Sequence, residues 1–170
     1  MKKLIILLIF INFFNISYAE KIVYINLDEV ISKSLAGKSM TNQLNSLNLE
    51  NRTFLENETS RLKEIETDIQ NSKLILSDEE IKKKIDKLKS DVDKYNLKKN
   101  ELVNNFGVIR NRNINFFFKE LSKYAEKYMN DNSISIILDK KSVFMAITKD
   151  EVTEDIIKIL DQNMREFELQ

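Results

Sequence analysis

The chain is 170 residues long, with 27 basic and 27 acidic side chains, no His, Cys, Trp or Pro, and two glycines, Gly37 and Gly107. Without Cys there are no disulfides, thiol nucleophiles or thiolate metal sites, and without His the usual general base near neutral pH is missing. No nucleophile elbow, phosphate-cradling glycine loop or metal-ligand cluster is present, so an enzyme, a bound cofactor and a metal site are all unexpected, and the balanced charge gives no case for nucleic acid as a partner.

The first residues read as an address. Lys2 and Lys3 precede an apolar run over residues 4–11, extended by Phe13 and Phe14 and closed by Ser17-Tyr18-Ala19. This is the pattern of a secretory leader cut after Ala19. The run is too short for the roughly 20 residues that span a bilayer, and Asn12 and Asn15 dilute it, so a membrane anchor fits less well. Residues 1–19 are therefore expected as a leader and residues 20–170 as one exported domain. Loss of Lys2 and Lys3 leaves 25 of the 27 basic residues against 27 acidic ones, a net charge of about −2. Export without disulfides suits a bacterial periplasm.

Residues 21–28 read as a strand, with Val23, Ile25 and Leu27 on one face and Ile22 and Tyr24 on the other. Both faces are apolar, so the strand should be covered on both sides. A short helix over residues 28–34 should follow, stopping near Gly37. From about residue 38 to 129, apolar residues then recur at three- and four-residue steps. In a first arm Leu55, Leu62, Ile69 and Leu76 repeat every seven residues beside Ile65, and Leu44, Leu47 and Phe54 lie on a shifted phase that suggests a stutter near residue 50. In a second arm Ile81, Ile85, Leu88, Val92 and Tyr95 alternate, and the seam resumes at Leu102, Phe106, Ile109 and Phe116, with Lys99 and Asn113 as polar exceptions. This narrow stripe is that of a coiled coil. The arms should separate at residues 76–79, where Ser77 and Glu80 have capping-box spacing. The first arm is shorter than the second, so residues 116–129 must pack against something else.

That something is a terminal zone. Residues 133–138 and 143–148 read as two strands of a β-hairpin, and Thr153 as the cap of a last helix with Ile156, Ile157, Leu160 and Met164 on one face. A few short strands, apolar on both faces, make a poor core alone, and Phe116, Phe117 and Phe118 cannot all be buried by one helix face. Either the chain packs an intramolecular α+β core, or strands and rings meet copies of themselves. In the second case Val23, Ile25, Leu27, Ile136, Leu138, Val143 and Met145 are the expected oligomer contacts. Gly107 costs a helix interior roughly 1 kcal/mol against Ala and is a candidate hinge, unless it only admits a bulky neighbour such as Phe106. Lys82, Lys83 and Lys84 make the far end of the arms basic, which is a solvated face or a means of steering toward a client or an anionic membrane surface. Met40 and Tyr95 are either seam residues or contacts for a bound partner.

The order of elements resembles the Skp, or OmpH, family of periplasmic chaperones over the whole exported chain. The resemblance is carried by Lys21-Ile22-Val23-Tyr24-Ile25-Asn26-Leu27-Asp28-Glu29-Val30, by Ser135-Ile136-Ile137-Leu138-Asp139 with Val143-Phe144-Met145-Ala146, and by Val152-Thr153-Glu154-Asp155-Ile156-Ile157-Lys158. It implies a mainly α, α+β fold. A coiled-coil hairpin (residues 40–116) would project from a body (residues 20–39 and 117–170) that a homotrimer completes as a small β-barrel. It also implies an ATP-independent holdase that keeps unfolded outer-membrane proteins from aggregating in the periplasm. Family members are often strongly basic and this chain is not, and a lipopolysaccharide-binding cluster does not map onto it. A different reading of the same coiled coil is an envelope scaffold or adaptor for one specific partner.

Overall fold

A computed structural model describes residues 20–170, and the leader expected at residues 1–19 lies outside them. In chain order the elements are β1 (Lys21–Ile25), α1 (Leu27–Lys33), α2 (Leu35–Ser72), α3 (Asp78–Asp131), β2 (Ile134–Asp139) and α4 (Thr153–Asn163). Single 3-10 turns occupy Lys140–Ser142 and Thr148–Asp150. The molecule is mainly helical, as the periodicity predicts.

α2 and α3 form the antiparallel pair. The turn between them is fixed by the capping box at Ser77: its hydroxyl accepts from the Glu80 amide, and the Glu80 carboxylate accepts from the Ser77 amide at 3.0 Å. Hydrogen bonds from the Ser77 side chain and then its backbone hold the Glu80 carboxyl below its ordinary pKa. At 1.5 Å per residue, the 38 residues of α2 span about 57 Å and the 54 of α3 about 81 Å. The surplus length of α3 enters the body, where Phe117 and Leu121 are buried. Along the arms the seam is thin. Leu55, Leu62, Ile65, Ile81, Ile85, Leu88 and Tyr95 are only half-buried, Ile69 is buried, and Phe54 and Val92 are largely exposed.

The entry to α2 differs from expectation. The short helix expected over residues 28–34 forms over Leu27–Lys33, but its stop is Ser34 and not Gly37: buried Ser34 serves both as its C-cap and as the N-cap of α2, accepting from the Gly37 amide at 3.1 Å. Gly37 lies inside α2 because the chain doubles back so tightly there. A Cβ at Gly37 would overlap the Ile31 carbonyl and lie 2.8 Å from the Ile31 Cα. Asp161 on α4 completes the junction by accepting from the Leu35 amide at 2.7 Å.

The expected β-hairpin is also not formed. β2 pairs parallel with β1, with Ile22 beside Ile136, Val23 beside Ile137 and Tyr24 beside Leu138, and residues 143–147 join no strand. The connection after β2 explains this. Asp139 caps the turn at Lys140–Ser142, Lys140 reaches Glu151 at 3.0 Å, and Lys141 reaches Asp28 at 2.7 Å. These contacts carry the chain across to the far edge of β1, where the Val152 amide donates to the Tyr24 carbonyl at 2.9 Å. Thr153, expected as a helix cap, caps nothing. Its hydroxyl instead accepts from the Asn26 amide at 2.9 Å, tying α4 to the end of β1.

The core lies on the inner face of this sheet. Val23 and Ile25 pack with Val30, Met40, Phe117, Ile156 and Leu160. The three consecutive rings are accommodated within the chain. Phe117 is buried, Phe118 stands edge-on to it at 5.9 Å, and Phe116 stands edge-on to Phe167 at 5.8 Å. The intramolecular reading therefore holds for the inner half of the body.

Candidate functional site

The two faces of the β1–β2 sheet divide the expected oligomer contacts. Val23, 2% exposed, and Ile25 belong to the chain's own core, and Leu27 is half-buried at the start of α1. Ile136 and Leu138 lie on the opposite face beside Ile22, and all three are substantially exposed. Next to them runs the unpaired segment 143–147, in which Val143 is half-buried, Phe144 is 100% exposed and Met145 is 82% exposed. The outer face at β2 and this segment are thus two uncovered apolar parts of the body. Exposed patches of this kind mark interaction sites.

The edge of that surface is braced electrostatically. Lys140 binds Glu151 and stands 6.0 Å from the centre of the Tyr24 ring. The hydrogen bond from Lys140, with help from Thr153, holds the Glu151 carboxyl below its ordinary pKa against the opposing effect of burial. The same bond raises the pKa of Lys140. On the far side of the body, burial and a 2.8 Å hydrogen bond to Asp155 push the Tyr128 hydroxyl up to about 12.

The arms offer a different surface. Leu49, Leu97, Val103 and Val108 are exposed at separate places along the arms. Met40, considered as a contact for a partner, is buried at the arm root, and Tyr95 sits half-buried in the seam with its hydroxyl 3.1 Å from that of Thr59. At the tip, Lys83 pairs with Glu79 at 3.0 Å and Lys84 with Asp68 at 2.6 Å, leaving Lys82 without an ion pair among the described residues. The more distinctive tip feature is apolar: Leu74 is 97% exposed and Ile75 is 83% exposed. The heptad reading missed both because they fall in the turn, outside any helical period.

Gly107 lies mid-way along α3, and a Cβ added there would meet nothing within 4 Å. No residue beyond its chain neighbours Phe106 and Val108 crowds this position within the chain. Near it, Ile31, Met40, Leu44, Phe106 and Ile114 line a cleft of about 300 Å³ at the arm root, with Arg110 among the lining residues. Met164, expected on the last helix's face, lies just past its end at Asn163, and sequence reasoning passed over residues 165–170, which continue from it against both arms. Asn113, read as a polar break in the seam, is buried because it bonds to Gln170 there. The alternating pattern of Phe167 and Leu169 with Glu166 and Glu168 was the available signal for an extended segment.

Residues 21–160 match the family described as outer membrane protein (OmpH-like). Among solved structures, the fold is similar to that of an OmpH-like protein from Caulobacter crescentus CB15, proposed there to be an outer membrane chaperone. The TM-score is 0.82 at 14% identity, over 89% of this chain and 90% of that one. None of the curated proteins matches the sequence.

Proposed function

Because the chain belongs to the OmpH-like family of chaperones, we propose that it is an ATP-independent periplasmic holdase that binds unfolded outer-membrane proteins and prevents their aggregation. The observation that carries this reading is the character of the arms. Their exposed apolar side chains are dispersed, at Leu49, Leu97, Val103, Val108 and the Leu74–Ile75 tip. A rigid pocket selects one ligand, whereas scattered shallow contacts tolerate many. Such a surface holds unfolded chains weakly without itself forming one adhesive patch.

Three copies assemble through the outer sheet face. Ile136, Leu138 and Met145 of one subunit, with the 143–147 segment, pair against the free β2 edge of the next and close a small barrel. Pairing of this kind satisfies the open backbone edge. Val23 and Ile25 support the same sheet from within, with Leu27 and Val143 at its margins. Residues 20–39 and 117–170 act as the body, and residues 40–116 as the arm. Gly107 is the flexing point, a reading supported by the open space around it beyond its chain neighbours. Lys82, Lys83 and Lys84 bias the tips toward an anionic membrane surface. Export follows from cleavage after Ala19.

The test is the native mass of the exported protein, alone and with an unfolded outer-membrane protein. A mass of three chains, rising by one client, supports the reading. A single chain that leaves client aggregation unchanged refutes it.

A further inference from the structure

Residues 164–170 have no regular secondary structure, yet they are anchored to both arms through Phe167 and the main chain. Phe167 is 3% exposed, with its ring 5.8 Å from that of Phe116 and 6.2 Å from that of Phe117. The main chain around it is read by side chains of both arms. On α2, the Ser39 hydroxyl lies 3.3 Å from both the Phe167 amide and the Phe167 carbonyl, and the Gln43 amide donates to that carbonyl as well. On α3, the Asn113 Oδ1 accepts from the Gln170 amide at 2.8 Å while its Nδ2 donates to the Gln170 carbonyl at 3.4 Å.

This pattern has a chemical meaning. Ser39 and Asn113 each address both the donor and the acceptor of one residue, as a neighbouring β-strand would. Such contacts are indifferent to the side chains of the segment they hold. The deepest side-chain pocket is aromatic and holds Phe167, and Met164 and Leu169 pack partly against the core beside it. An extended peptide fits if it carries a ring at the position of Phe167 and apolar side chains near those of Met164 and Leu169, while its other side chains are free to vary. Asn113 would be a costly buried amide without such a ligand, since its remaining bond is to the Ile109 carbonyl of its own helix.

We infer that the groove at the arm root is a main-chain-reading peptide site, occupied in cis by the chain's own tail, and that its partner in trans is an extended, aromatic-bearing segment of an unfolded client. The tail is then a resident competitor that covers the groove when no client is present. The client part of this inference rests on the holdase reading; the existence of an exchangeable peptide site does not.

The chain has no cysteine, so Gln170→Cys provides a single site for a nitroxide label. The Gln170 side chain is exposed and bonds only to the Glu168 carbonyl, so the label leaves the Asn113 contacts in place. Electron paramagnetic resonance of the full chain is followed while a free peptide of residues 164–170 is added. A tethered segment competes at an effective concentration on the order of millimolar, so the peptide is supplied above that. The native peptide is expected to mobilise the label, and a peptide carrying Phe167→Ala to require roughly tenfold more. An unfolded outer-membrane protein is expected to mobilise it too. A label that stays immobile against saturating native peptide overturns the inference, and so does client binding, seen by native mass, with the label still immobile. Absence of any client binding defeats the holdase reading instead, and the peptide titration then decides the groove alone.

Discussion

The two glycines of the chain stand in opposite physical situations, and the contrast separates the body from the arm. Gly37 is where the body has no room: the backbone of Ile31 occupies the space a side chain would need. Gly107 is where the arm has nothing to touch. The same difference runs through both regions. Body residues such as Val30, Ile156 and Leu160 are fully buried, whereas the arm seam is half-exposed and linked by surface ion pairs such as Lys84 with Asp68 at 2.6 Å. Exposed pairs contribute little. Helices with few buried contacts open locally at low cost. The body is built to be one structure, and the arm to be many closely related ones.

The comparison is broken most severely at Gly37. Gly37→Ala should destabilise the body by about 3 kcal/mol or more, through overpacking against backbone, with a matching fall in Tm. A change below about 0.5 kcal/mol would mean that the α1–α2 junction is not tight. Glu151→Gln should come next, through pH. The depressed pKa of Glu151 contributes stability that is fully present above the ordinary glutamate range and is lost as pH falls through the lower folded value. Tm should therefore fall less between neutral pH and acid in the variant than in the parent, and parallel Tm–pH curves would remove Glu151 from the brace. Gly107→Ala should do the reverse of Gly37→Ala, stabilising α3 locally by about 1 kcal/mol and slowing hydrogen exchange in the arm while body exchange is unchanged. Unchanged arm exchange would discard the flexing point. Smallest of all, Ser133 holds φ 54° at the end of α3, a left-handed conformation that favours glycine. Ser133→Gly should raise thermal stability by up to about 1 kcal/mol, and a decrease would mean that the Ser133 side chain contributes something its backbone does not reveal.

The arm was legible in the sequence because its determinants are local: a seven-residue repeat, and a Ser77–Glu80 cap whose spacing is complete within four residues. The body was legible only in outline. Its elements were found, but residues 143–148 have the composition of a strand without a partner in the chain, and composition carries no information about pairing. Thr153 has the chemistry of a cap and is used elsewhere because Asn26, 127 residues away, needs an acceptor. The tail groove was missed for the same reason. Asn113 looks like a flaw in a heptad until Gln170, 57 residues later, is beside it. For the candidate surfaces, the exposed faces of Ile136 and Leu138 could be anticipated, whereas the burial of Val23 and Ile25 depended on which side of the sheet the helices occupy.

The parallel pairing of β1 with β2 bears on how the chain folds. Lys21 meets Ile134, so the partners are 113 positions apart in the chain. For a featureless loop of that length, closure alone would cost about 4 kcal/mol. The intervening chain is instead a zipper of neighbouring helical contacts, which closes from its turn and delivers both strands to the same place. The length of the arm is thereby nearly free of consequence for the body. Deleting matched heptads from both helices should leave strand pairing intact, whereas unzipping the arm at its turn should delay it.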